Sequence, residues 1–296
     1  MNIFIENFRK MGLSSFKEEL YKNLKGFDKI SFGLIKSMRI FKFAKNFLDF
    51  EENIGALGLN KAAKALIDIL KIKIITEDHP PNKLQEKTPF IILTNHDVRI
   101  EAFLLSSMIK RNDIFFLGGT EGLKIGENAS KHVLPIKPRR YSGRHSLLHG
   151  EAMTDEEIKS MNEKSYKEGA NKLEKGAVVG IFPTGGKRPI TESWFNGIGY
   201  LVASTSFVER DKIYILPVYF DGLKKSDFLE LITEFLLTGE IKKERKVRVR
   251  FGNPVSIKEI IGNEKDPVKI KKLIQDYYIQ EIFKSGVNCQ RNQNEL

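Results

Sequence analysis

The sequence predicts an α/β fold: a single layered domain on a central mixed, mostly parallel sheet flanked by helices, preceded by an amino-terminal helical segment. Two observations carry this expectation. Short apolar runs of strand length alternate with stretches of helical period through residues 71–284. A chain of 296 residues, 41% of them hydrophobic, also has ample material for one large core.

The expected elements follow in order. Leu34, Met38, Phe41, Ala44 and Leu48 form one helical stripe, widened by Phe43, Phe47 and Phe50 and interspersed with Lys36, Arg39, Lys42 and Lys45. Such a face either lies among lipid headgroups or packs on the domain behind it. Residues 61–71 make a further helix, so residues 1–70 are assigned to an amino-terminal helical segment for which both readings, membrane-associating or packed, stay open. Strands are expected at residues 71–76, 90–94, 114–117, 133–136, 177–182, 213–219 and 246–251. Helices are expected at 98–110, 154–175, 198–207, 226–237 and 267–284. Thr154 with Glu157 is a capping signature. The domain therefore spans residues 71–284, and the polar tail 285–296 is expected to be disordered.

Charge and composition narrow the partners. The net charge of +11 favours anionic surfaces. No aromatic-basic motif points to nucleic acid, and none is expected as a partner. No run approaches the ~18 apolar residues of a membrane span. The amino terminus lacks a signal-peptide layout and Cys289 has no second cysteine to pair with, so a cytoplasmic protein on the inner face of the membrane is expected. The basic run 242–250 reads as a solvated edge strand.

Two clusters carry candidate chemistry. The first is Asn95-His96 with Glu101, directly after an apolar run. A carboxylate can hold an imidazole in one tautomer while the other ring nitrogen takes a proton from a hydroxyl. Residues five apart on one helix point in different directions, so His96 and Glu101 meet only if His96 lies in the turn before the helix. Asn95 is expected to fix that turn and Asp97 to cap the helix.

The second cluster is the loop Pro183-Thr184-Gly185-Gly186-Lys187-Arg188-Pro189, at the end of another strand. Gly185 and Gly186 free the backbone to turn and to aim N–H groups at an anion, and Lys187 and Arg188 add positive charge. A base and an anion cradle at the carboxyl ends of strands is the usual placement of a site on an open α/β sheet. A lone His96 would read as structural; both clusters together point to catalysis. His79, His132, His145 and His149 form no metal template, and no metal is expected. Residues 118–124 read as a flexible connection near the site, Trp194 and Phe195 as core, and Lys137 as a surface charge.

These blocks resemble those of the PlsC-like glycerolipid acyltransferases, which acylate glycerol-3-phosphate and lysophosphatidic acid. Asn95-His96 with Glu101 resembles the family's Asn-His block, with Glu in place of Asp. Pro135-Ile136-Lys137-Pro138-Arg139-Arg140 resembles the second block, Phe182 to Arg188 the third, and Ile215-Leu216-Pro217-Val218 the fourth. Thr184 stands where bacterial lysophosphatidate enzymes usually carry Glu, and the Gly-Gly-basic pattern is closer to the soluble glycerol-3-phosphate enzymes of plastids. The resemblance implies catalysis by His96 and Glu101, support from Asn95 and Thr184, and phosphate binding by Arg139, Lys187, Arg188, Gly185 and Gly186. It implies an acyl-CoA or acyl carrier protein donor with no further cofactor, and a lysophosphatidate acceptor, with glycerol-3-phosphate as the alternative. A non-catalytic basic membrane-binding protein is the more remote reading.

Overall fold

The computed structural model describes residues 39–77, 80–98, 100–119, 126–137, 153–186 and 188–283. Arg139 and Lys187, the start of the amino-terminal stripe and the tail from Ser285 lie outside the described residues. Helices α1 (Arg39–Leu57) and α2 (Leu59–Ile69) come first, followed by β1 (Ile72–Thr76) and β2 (Phe90–Thr94). Then follow α3 (Glu101–Met108), β3 (Ile114–Gly119), α4 (Glu127–Ser130), β4 (Val133–Ile136), α5 (Asp155–Glu174) and β5 (Val178–Ile181). The remainder comprises α6 (Gly197–Ala203), β6 (Tyr214–Asp221), α7 (Lys225–Thr238), β7 (Arg245–Phe251), β8 (Val255–Ser256), α8 (Ile257–Ile261) and α9 (Pro267–Phe283).

The strands form one mixed sheet in the order β1-β7-β6-β2-β5-β3-β4, with β8 added beside β6. β6, β2, β5, β3 and β4 are mutually parallel, whereas β7 runs antiparallel to β6 and carries β1 parallel to itself. β2 lies at the centre, and every residue of it is buried, as a continuous apolar run covered on both faces requires. Ile92 turns to one helical layer with Leu66, Leu104, Leu105 and Leu231, and Leu93 to the other with Leu173, Ile198, Leu201 and Ile274. Pro217 sits in β6 where its outer neighbour changes from β8 to β7, so its missing N–H costs no ladder bond, and its carbonyl accepts from Gly252 N at 2.9 Å.

Most expected elements stand where periodicity placed them, and the exceptions have physical reasons. The helix expected from residue 98 begins at Glu101, because the preceding residues form the site turn. The helix expected to residue 207 ends at Ala203, where Thr205 Oγ1 donates back to the Val202 carbonyl at 2.7 Å. Gly118 and Gly119 are not a flexible connection but strand residues, paired with Pro135 and Ile136. β7 is not an edge strand. β1 covers it, its apolar residues alternate inward, and Arg248 and Arg250 pair with Asp221 and Glu77 at 2.9 and 3.0 Å. Lys137 is not a surface charge either, being 4% exposed, with its backbone held by both ends of the Asn162 amide at 2.8 and 2.9 Å.

Of the two readings of the amino-terminal apolar face, packing accounts for its later part. Phe50 and Ile54 are buried, Phe47 lies against the same core, and Glu51 caps the backbone of Asn128 and Ala129 at the start of α4. Thr154 and Glu157 form the expected capping box of α5. No helix among the described residues is long and apolar enough to cross a membrane.

At the amino ends of the central strands Arg111 acts as a clasp. Its Nε and Nη2 donate to Asp113 at 2.8 and 2.6 Å and its Nη1 to the Thr88 carbonyl at 2.7 Å, and it also reaches the carbonyls of Glu86 and Gly176. The segments leading into β2, β3 and β5 are thereby tied to one guanidinium.

Candidate active site

β2 ends at Thr94, and the chain turns through Asn95 to Ile100 before α3 begins. Asn95 fixes the turn, as expected. Its Nδ2 donates to the Phe220 carbonyl at 2.8 Å, and its Oδ1 accepts from Phe220 N at 2.9 Å. The amide thus extends the β2–β6 pairing past the last backbone rung. Asn95 Nδ2 also donates to Asp97 Oδ2 at 2.9 Å. Asp97 therefore braces the turn and does not cap the helix, for the N-cap position is Ile100, without a side-chain bond.

That turn brings His96 and Glu101 together. His96 Nδ1 lies 2.9 Å from Glu101 Oε2, and Val98 N donates to Glu101 Oε1 at 2.7 Å. A carboxylate only accepts, so Nδ1 carries the proton of this bond, and in the neutral imidazole the lone pair is on Nε2. Both oxygens of Glu101 are occupied and its side chain is 2% exposed, whereas that of His96 is 20% exposed. The acid is locked away and the base meets solvent, which is the arrangement of a histidine oriented for proton abstraction.

The β5 loop closes over the same histidine. Gly185 and Gly186 have φ of 60° and 68°, the left-handed region that glycine enters without penalty. A Cβ on Gly186 would lie 2.6 Å from the His96 carbonyl oxygen, so no side chain fits there. The two glycines are not equivalent donors. Gly185 N donates to the Phe182 carbonyl at 2.9 Å and closes the turn, so its expected service to an anion is already spent within the loop. Thr184 is buried at 1% exposure, and the exposed Arg188 has its guanidinium carbon 5.9 Å from the centre of the Phe195 ring. Trp194 belongs to the core, with Nε1 donating to the Ile190 carbonyl at 2.7 Å.

The structure sets Glu101 and Gly186 against His96 on the turn that Asn95 fixes, with Thr184, Gly185 and Arg188 on the same loop as Gly186. Sequence reasoning missed Phe182, whose ring stacks on His96 with centroids 4.1 Å apart, and Phe220, whose backbone anchors Asn95. Phe182 opens the third block, but nothing local marks it as a partner of His96, and nothing local marks Phe220. Among the described residues no three His, Cys, Asp or Glu side chains gather as a metal site.

An α/β sheet carrying a carboxylate-held histidine and a glycine-rich loop at its carboxyl edge has the parts for general-base catalysis on a hydroxyl. Residues 75–221 match the model of the Acyltransferase family, a span that covers β2 to β6 and both loops. These residues, just under half of the chain, carry an acyltransferase domain. No curated protein matches the chain significantly. Among solved structures it is similar to the crystal structure of PlsC, the 1-acyl-sn-glycerophosphate (LPA) acyltransferase of Thermotoga maritima, with 14% identity, 84% of this chain and 99% of that chain covered, and a TM-score of 0.39. That likeness is too distant to bear on substrate.

Proposed function

We propose that the protein is a glycerolipid O-acyltransferase, moving an acyl chain from acyl-CoA or acyl carrier protein to the hydroxyl of 1-acyl-glycerol-3-phosphate in phospholipid biosynthesis. The observation that carries the reading is the 2.9 Å bond from His96 Nδ1 to buried Glu101, inside a domain of the Acyltransferase family. As the acceptor oxygen attacks the thioester carbonyl, His96 Nε2 takes the hydroxyl proton. The C–O bond forms, the C–S bond breaks, and the departing thiolate collects the proton from the imidazolium. Glu101 orients the ring and stabilises its charged form. The Gly186 N–H and Arg188, together with Arg139 and Lys187, receive the acceptor phosphate and so position its hydroxyl. No cofactor beyond the acyl donor enters this scheme. The charge of +11 supports working at an anionic membrane surface, on its inner face in a cytoplasmic setting.

Glycerol-3-phosphate is the second reading, favoured by Thr184-Gly185-Gly186, where a neutral buried hydroxyl stands in place of the Glu usual in bacterial lysophosphatidate enzymes. Purified protein is given acyl-CoA or acyl carrier protein with each acceptor in turn. Phosphatidate formed from lysophosphatidate supports the first reading, and lysophosphatidate formed from glycerol-3-phosphate the second. Acylation of neither removes both.

A further inference from the structure

We propose that Phe182 is a positioning residue for His96, holding the imidazole plane so that Nε2 faces the acceptor hydroxyl. The inference rests on the reading of His96 as the base. The observation is a stack of three rings on the site side of the sheet. Phe182 lies on the His96 imidazole with centroids 4.1 Å apart and planes 28° apart. Phe116 of β3 lies behind Phe182, with centroids 6.0 Å apart and planes 11° apart. Phe116 in turn leans over β5 at Gly180, where a Cβ would fall 2.6 Å from its ring. The stack therefore runs from the sheet to the base, and its far end is anchored in the core.

Glu101 fixes one vertex of the His96 ring, but a single hydrogen bond at Nδ1 leaves the ring free to rotate about that axis. A flat aromatic face removes that freedom. Gly186 lies beside the Cδ2 edge, close enough that a Cβ there would stand 3.0 Å from His96 Cδ2. With Nδ1 bonded, one face stacked and Gly186 beside the Cδ2 edge, Nε2 is the ring position left to meet substrate. The Phe182 π face also lies where the ring becomes positive in the transition state, and an aromatic face attracts a cation more strongly than an aliphatic side chain does. The third block thus acts on the base directly, alongside any part it plays in holding phosphate.

The test is a set of variants assayed for acyl transfer, with melting temperatures measured alongside: Phe182→Leu, Phe182→Tyr, His96→Ala, and His96→Ala combined with Phe182→Leu. Phe182→Leu should lower kcat by about 3–10-fold with KM for both substrates within about twofold. Phe182→Tyr, which keeps the ring, should restore kcat to within about twofold of wild type. In the His96→Ala background Phe182→Leu should cost nothing further, because its effect passes through His96. An equal loss in both backgrounds, or a change confined to KM, overturns the proposal. If Phe182→Leu does not fold, Phe182→Met, unbranched and adaptable, takes its place in the same cycle. A His96→Ala enzyme as active as wild type would instead remove the base reading itself, a result distinct from failure of the Phe182 inference.

Discussion

The two ends of β2, β3 and β5 are built on opposite plans. At the amino ends Arg111 gathers Asp113 and three carbonyls into one charge-assisted knot that faces no substrate. At the carboxyl ends an equally dense network stops one atom short. Asn95, Asp97, Glu101 and the Val98 N–H are engaged with one another or with Phe220, and His96, bonded at Nδ1 and stacked on Phe182, keeps a side chain 20% exposed. The difference teaches that rigidity at this site comes from spending every polar group but the reactive one. The same strands let the fold be secured at one end and the chemistry exposed at the other, so substitutions at the two ends should separate stability from turnover.

The largest effect is expected at Glu101. Glu101→Gln keeps the shape and removes the charge that holds the imidazole tautomer, so kcat should fall by roughly 10²–10⁴ with little change in melting temperature. Steady-state kinetics beside thermal melts check this, and a fall in melting temperature with kcat preserved would break the comparison. Arg111→Met should do the reverse. It leaves several carbonyls and the partly exposed Asp113 without the buried guanidinium, and should cost about 1–3 kcal/mol of stability while the folded fraction keeps wild-type kcat. This difference has a pH signature. Hydrogen bonding to Arg111 holds the Asp113 carboxyl below its ordinary value, so the stabilisation is present above the usual carboxylate range and is lost as pH falls through the lowered value. The stability gap between wild type and Arg111→Met in urea titrations should therefore narrow below about pH 4, with the share from the carbonyl bonds remaining. A gap that is constant with pH would deny the Asp113 contact its part.

Much of this was legible in the sequence, and what was not has a common cause. β2 and β4 fall on the expected residues because apolar runs bounded by turn residues mark buried parallel strands without reference to anything distant. The meeting of His96 and Glu101 was also legible, since five-residue spacing works only across a turn, and the turn is there. What escaped was set by partners remote in sequence. β7 reads as a charged edge until β1 pairs beside it, and Lys137 reads as surface until Asn162 of α5 clamps its backbone. Asn95 was recognisable as a turn residue, but its anchor on Phe220 lies 125 residues away. The contact of Phe182 was hidden for a related reason: a phenylalanine opening the third block shows no tie to His96 until the fold sets that ring on its face.

The most direct measurement is acyl transfer by wild-type protein and by His96→Ala under identical donor and acceptor, with melting temperatures compared. If His96 is the base, turnover falls by roughly 10²–10⁴ while the fold is as stable as before. Equal turnover by the two proteins would contradict the account, and would leave the bond between His96 and Glu101 as a structural tie.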